Sequence, residues 1–255
     1  MPRNLKYGWV PDLPDHRDQV YSAPQPVLTQ LPPSADLRSG CPPVYDQGQL
    51  GSCTANAISG AMEFEQKKQG GQVFMPSRLF IYYNERDIEG TVNSDSGAQI
   101  RDGIKSVNSL GVCPETEWPY DITKFADKPT PACYTDAEKC EAVGYQRLNS
   151  SNLNQLKGCI ASGYPFVFGF TVYDAFESQQ VADTGVLNMP APTETVQGGH
   201  AVMAVGYDDA TQRFTVRNSW GADWGLKGYF TMPYAYITSA NLADDFWTIR
   251  ILKEA

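Results

Sequence analysis

The chain has 255 residues and a mass of 28.1 kDa, with 42% hydrophobic and 19% charged residues, which is ordinary globular usage and excludes both intrinsic disorder and a scaffold held by disulfides alone. A net charge of −9 repels phosphate backbones and anionic lipid surfaces, so neither a nucleic-acid nor a membrane partner is expected. The longest uncharged run, residues 19–35, is polar and holds four prolines, whereas a membrane span needs about 20 mostly apolar residues.

Residues 1–35 read as an extended arm. Seven of the eighteen prolines fall within residues 1–33, and each removes a backbone donor and disfavours helix for the residue before it. The start lacks the apolar run of a secretory signal, which leaves two compartments open: a protein that stays inside, or one whose leader is missing from this sequence. A helix is expected from Ser52, a good N-cap, with Ala55, Ile58, Ala61, Met62 and Phe64 near helical spacing and a stop at Gly70-Gly71. Two more helices are expected over 76–84 and 97–110, the second ending at Gly111, and another over 152–162. The chain up to residue 160 is thus read as mostly helical. Beyond Pro165, β-branched and aromatic runs at 166–170, 201–205, 214–217, 228–230 and 246–249 read as antiparallel strands. Helices first and strands later give an α+β domain over 36–255, with a helical lobe at about 40–145, a β lobe at about 146–250 and a cleft at the seam.

Six cysteines are too dilute for a disulfide framework, and with two histidines and no Cys-x-x-Cys pair no metal site and no cofactor are expected. Thiol chemistry has better support. Cys53 would open the first helix of the domain, where unpaired N–H groups and the helix dipole lower a thiol pKa, although a lone cysteine is more often inert core. His200 follows Gly198-Gly199 at the head of an apolar strand, so its ring is expected to be accessible at a strand edge; a satisfied core histidine is the alternative. His16 lies in the arm, so a Cys–His pair in the folded body must use His200. Asn218 can accept the imidazole N–H and fix its tautomer, with Trp220 shielding that bond from water. The same stretch also reads as a Gly-rich turn between strands. Gln47, six residues before Cys53, can return its amide to the nucleophile and form an oxyanion hole with the Cys53 N–H.

Gln47-Gly48-x-x-Gly51-Ser52-Cys53, Gly199-His200-Ala201-Val202-x-Ala204-Val205-Gly206-Tyr207 and Asn218-Ser219-Trp220-Gly221-x-x-Trp224-Gly225-x-x-Gly228-Tyr229 closely resemble the motifs of papain-like cysteine peptidases, the cathepsin-type family. The order and gaps agree too, with 147 residues from Cys53 to His200 and 18 more to Asn218. The stretch Tyr7–Asp18 resembles the short leader of a bacterial branch of that family. The resemblance implies a two-lobe fold with an antiparallel, barrel-like β lobe, and a monomeric endopeptidase acting on peptides or proteins. It implies Cys53 as nucleophile, His200 as base and leaving-group acid, Asn218 as orienter, Gln47 as oxyanion donor and Trp220 as shield. Gly97 matches the glycine that pairs with the substrate residue two before the cut. Gly97, Gly169, Gly198 and Gly199 would wall that residue's pocket, with Phe246 or Asp245 near its floor. Small walls suggest apolar or aromatic side chains there, and arginine only if Asp245 points inward.

Three departures stand out. Leu50 replaces a cysteine that the family uses in a disulfide, Thr54 replaces the aromatic residue after the nucleophile, and the proline-rich arm holds no counterpart of the family's long helical propeptide. With Cys53 a thiol, Cys41, Cys113, Cys133, Cys140 and Cys159 allow at most two disulfides. The competing functions are a binding protein on an inactive scaffold and acyl transfer to an amine. The arm is expected to cover part of the cleft and slow substrate entry, against the alternative that it packs on the body as permanent structure.

Overall fold

The computed structural model describes residues 6–254. Its centre is one mixed-length antiparallel sheet in the order β2 (Cys140–Arg147), β7 (Ala243–Glu254), β3 (Phe166–Tyr173), β4 (Val196–Asp208), β5 (Arg213–Arg217) and β6 (Tyr229–Pro233). The short β1 (Ser34–Asp36) pairs with the far end of β4, Ala35 opposite Tyr207. The sheet is open, with β2 and β6 at its two ends, where a barrel-like lobe was expected.

The period-two alternation of the strands sends side chains to two cores. Phe166, Phe168 and Phe170 of β3 with Val202 and Ala204 of β4 build an aromatic core on one face. Val167, Ala201, Met203 and Val205 build the other core, against α2 (Cys53–Gln69), α3 (Arg78–Glu89) and α4 (Ile100–Ser109). α2 is buried from Cys53 to Gln66 and ends at Gly70 with φ 73°. α3 starts two residues later than expected, because Ser77 caps it through Phe80 N–H, and it runs on to Gly90. α6 (Leu153–Ala161) packs on the aromatic core.

Two expectations are corrected. The region before residue 160 is not purely helical, since β2 forms there and pairs with β7; Val143 is exposed and the register shifts around Gly144, which erases the alternation that marks a strand. The arm is not wholly extended either, because Gln25–Thr29 forms a short helix (α1) entered through Pro24, with Pro26 in its first turn, where a missing N–H costs nothing.

Candidate active site

Cys53 is the first residue of α2, so its thiol sits among the unpaired N–H groups of the helix start. Ser52 does not cap through its side chain as expected; its Oγ lies 2.5 Å from Tyr120 Oη and accepts from Asn56 Nδ2 at 3.1 Å. Across the seam Cys53 Sγ accepts Ala201 N–H at 3.3 Å, which sets the sulfur against the residue following His200.

His200 lies on β4, opposite Phe170 of β3. Its Nε2 is 2.8 Å from Asn218 Oδ1, and Ser219 N–H donates to the same oxygen at 2.8 Å. A backbone N–H only donates, so that atom is the amide oxygen, Nε2 carries the proton, and Nδ1 is left as the basic nitrogen. Nδ1 has no hydrogen-bond partner. Trp220 stacks over the imidazole, with centroids 5.1 Å apart and planes 29° apart. Gln47 is fully buried; its Oε1 accepts Ser219 Oγ–H at 2.6 Å, which aims Nε2 at Leu50 O (2.9 Å) and Lys6 O (3.3 Å). Ser219, which sequence reasoning missed although it stands inside the Asn218–Gly221 block, thus orients both amides.

Residues 7–10 of the arm bond to both sides of the seam. Gly8 O accepts Ala98 N–H at 2.7 Å, Val10 N–H donates to Ala98 O at 3.0 Å, and Trp9 N–H donates to Gly199 O at 2.9 Å. The backbone partner is therefore Ala98, while the neighbouring Gly97 supplies room, since a Cβ there would stand 2.1 Å from Gly8 O. Gly169 does the same for the Trp9 indole, 2.0 Å from where its Cβ would be, and Gly198 for Tyr7. Tyr7 reaches the edge of His200 (centroids 5.9 Å) and donates to Glu177 at 2.5 Å. Phe246 is not the pocket floor, because it stacks on Phe168 inside the aromatic core. Asp245 is that floor, accepting Trp9 Nε1–H at 3.0 Å and Asp12 N–H at 2.7 Å.

This cover changes the electrostatics expected of the pair. Burial pushes the Cys53 thiol up to about 12 and outweighs the N–H groups that lower it. Burial also takes His200 down to about 4, against the opposing bond to Asn218. The ring is fully buried rather than accessible, and with the arm in place that burial disfavours the charged form of both thiol and imidazole. Burial likewise holds the Asp245 carboxyl up at about 7, helped by the charge of Asp12. The arm's acidic residues are tied further along: Asp18 pairs with Arg101 at 2.6 Å and Arg147 at 3.2 Å, and Asp12 accepts Trp247 Nε1–H at 3.1 Å. Asp95, also missed, pins the loops beside the cleft by accepting Gly51 N–H at 2.9 Å and Tyr82 Oη–H at 2.5 Å.

All six cysteines are free thiols, and among the described residues no group of His, Cys, Asp and Glu is arranged to hold a metal. No helix of the described residues is long and apolar enough to cross a membrane.

The fold and these motifs are those of the papain family of cysteine proteases, whose model matches residues 31–247, and the chain belongs to that family. It is similar over its full length to xylellain, a cysteine protease from Xylella fastidiosa, at 46% identity and a TM-score of 0.90, with 98% of that chain covered. An uncharacterized peptidase C1-like protein of Acanthamoeba polyphaga mimivirus is 42% identical over 96% of this chain and 86% of its own length. Thiol protease aleurain of Arabidopsis thaliana is 32% identical over 79% of this chain, which spans 56% of that relative. The protein is a papain-like cysteine peptidase, a hydrolase of peptide bonds.

Proposed function

We propose that the chain is an endopeptidase in which Cys53, His200 and Asn218 carry the chemistry, Gln47 Nε2 and the Cys53 N–H receive the oxyanion, and residues 6–12 hold the full-length chain closed. The observation that carries this reading is the chain of contacts from Cys53 Sγ to Ala201 N–H and from His200 Nε2 to Asn218 Oδ1, lying directly beneath the arm. When the arm leaves, water and substrate replace it, and the desolvation that disfavours the charged form of both groups is relieved. The thiol proton then passes to His200 Nδ1, and the thiolate is stabilised by the start of α2. Sγ attacks the substrate carbonyl carbon, and the oxyanion meets the donor that Gln47 now spends on Lys6 O. His200 returns its proton to the departing amine, leaving a thioester on Cys53. It then takes a proton from water, whose attack releases the acid. Asn218 holds the ring and Trp220 keeps water from that bond. Gly97, Gly169 and Gly199 form the open wall on which the substrate backbone lies.

The arm closes this site by substituting its own backbone and Trp9 for the substrate. It is fastened by Asp12 and Asp18, which pair with Arg101, and breaking such a buried pair costs about 3–5 kcal/mol. A single chain suffices for the site, so we infer a monomer. The test is turnover of a small fluorogenic peptide by the full chain and by variants weakened at the arm. Activity that vanishes in Cys53→Ala and rises when the arm is loosened supports both halves of the reading.

A further inference from the structure

Thr54, which stands where the family has an aromatic residue, makes a bond that the reaction described above leaves unused. It lies in the first turn of α2 beside Cys53, and its Oγ1 donates at 2.6 Å to Oε1 of Glu85 on α3. Both side chains are fully buried. The other carboxyl oxygen, Glu85 Oε2, has no hydrogen-bond partner, and α4 seals it in, since a Cβ on Gly103 would stand 2.6 Å from it. Arg86, the nearest cation in sequence, is spent on the carbonyls of Tyr82, Val92, Ser94 and Phe125. A carboxyl group is thus enclosed among three helices, one bond away from the residue that follows the nucleophile.

We propose that Glu85 is a positioning residue for peptide hydrolysis: through Thr54 it fixes the first turn of α2 around Cys53, and as an uncharged carboxyl it keeps negative charge away from the thiolate that forms there. This rests on the peptidase reading above and adds a residue to its machinery. Cys53 supplies both Sγ and an oxyanion N–H, and the Thr54 N–H is one of the groups that lowers the thiol. A shift of this turn therefore displaces three reacting or stabilising groups together, and an ångström of misplacement can cost on the order of a hundredfold in rate. The charge follows from the enclosure, because a carboxylate shut among helices with a hydroxyl for its partner is strongly disfavoured. Glu89 of α3 and Asp102 of α4 face it and oppose that charge further, while Arg86 favours it. Cys53 of α2 and Tyr82 of α3 are the other titratable groups in its field. Burial accordingly holds the Glu85 carboxyl well above the usual range. Ionised, it would push the Cys53 thiol up, against the N–H groups around Sγ; protonated, it leaves the helix start free to stabilise the thiolate. An aliphatic side chain would also be uncharged, but it would leave the Thr54 hydroxyl without an acceptor in the core.

The experiment compares turnover of one fluorogenic peptide by the full chain and by Glu85→Gln, Thr54→Val and Thr54→Ser, each checked for folding by circular dichroism. Glutamine keeps the shape and accepts from Thr54, yet carries no charge at any pH. The ratio of kcat/KM in Glu85→Gln to that in the unmodified chain should climb about tenfold from acid to alkaline pH, because only the unmodified chain gains a charge facing the thiolate. The arm makes the same contacts in both proteins and cancels in the ratio. Thr54→Val keeps the shape but removes the donor, and should lower kcat about tenfold with KM little changed; Thr54→Ser restores the donor and should recover most of that loss. A ratio that stays flat or falls with pH, or a folded Thr54→Val with unchanged kcat, overturns the inference while leaving the peptidase reading in place. Absence of cleavage by all four proteins, with the arm loosened by Trp9→Ala, would overturn the two together.

Discussion

Replacing Trp9 by alanine tests the closure of the arm at its main anchor. The indole fills the pocket between Gly169 and Gly199 and donates to Asp245 at 3.0 Å. Truncating a fully buried tryptophan costs about 3–5 kcal/mol. Trp9 is half-buried, so about half of that, roughly 2 kcal/mol, is lost from packing. The bond to a carboxylate adds on the order of 1 kcal/mol or more. At about 1.4 kcal/mol per tenfold, a loss of about 3 kcal/mol raises the open fraction on the order of a hundredfold until it saturates. In Trp9→Ala, kcat/KM for a small peptide should rise by that factor, or to a plateau if the arm opens completely, with circular dichroism unchanged. A folded Trp9→Ala whose kcat/KM equals that of the unmodified chain would refute the reasoning and leave the arm as permanent structure.

Gly169→Ala should both evict Trp9, whose ring lies 2.0 Å from the new Cβ, and narrow the pocket: cleavage of peptides with a small residue there rises relative to those with a large one, which a peptide-library digest reads directly. Gln47→Ala should lower kcat by about 10²–10³ through loss of one oxyanion donor, and Asn218→Ala should lower turnover without abolishing it, both measured by steady-state kinetics. Asp245 gives a pH dependence with a definite sign. Its carboxyl is held up at about 7 with the arm in place and falls toward the ordinary range when the arm leaves, so its proton favours closure; that contribution is complete at acid pH and lost as pH rises through about 7. Asp245→Asn mimics the protonated group at every pH, so the ratio of unmodified to variant epoxide-capture rates at Cys53 should rise with pH through this range. A flat ratio would contradict the coupling. His200, lowered to about 4 in the closed state, acts in the opposite direction in both proteins and cancels in that ratio.

The site was legible where chemistry is written in short local blocks. Cys53, His200, Asn218 and Gln47 each stand in a motif whose glycines and aromatic residues are neighbours in sequence, and the structure brings these four side chains to one seam. What was not legible depends on segments far apart in the chain. Asp95 pins Gly51 and Tyr82 across loops, Ser219 binds Gln47 from 172 residues away, and the choice of Asp245 over Phe246 follows from the register of β7 against β3. The burial of the Cys53–His200 pair was not legible for the same reason, since helix-start electrostatics are local and the burial that opposes them comes from the arm. Strand β2 escaped because its alternation is broken at an exposed Val143 and at Gly144. The helices before it were found because their buried faces keep one period and end on glycine.

The most direct test of the central claim is intact-mass analysis after incubation with a thiol-directed peptidyl epoxide. The account predicts one adduct per chain, mapped to Cys53, forming slowly in the full-length protein, faster in Trp9→Ala, and absent from Cys53→Ala and from His200→Ala. An adduct of equal yield in Cys53→Ala, or none in folded Trp9→Ala, would contradict it.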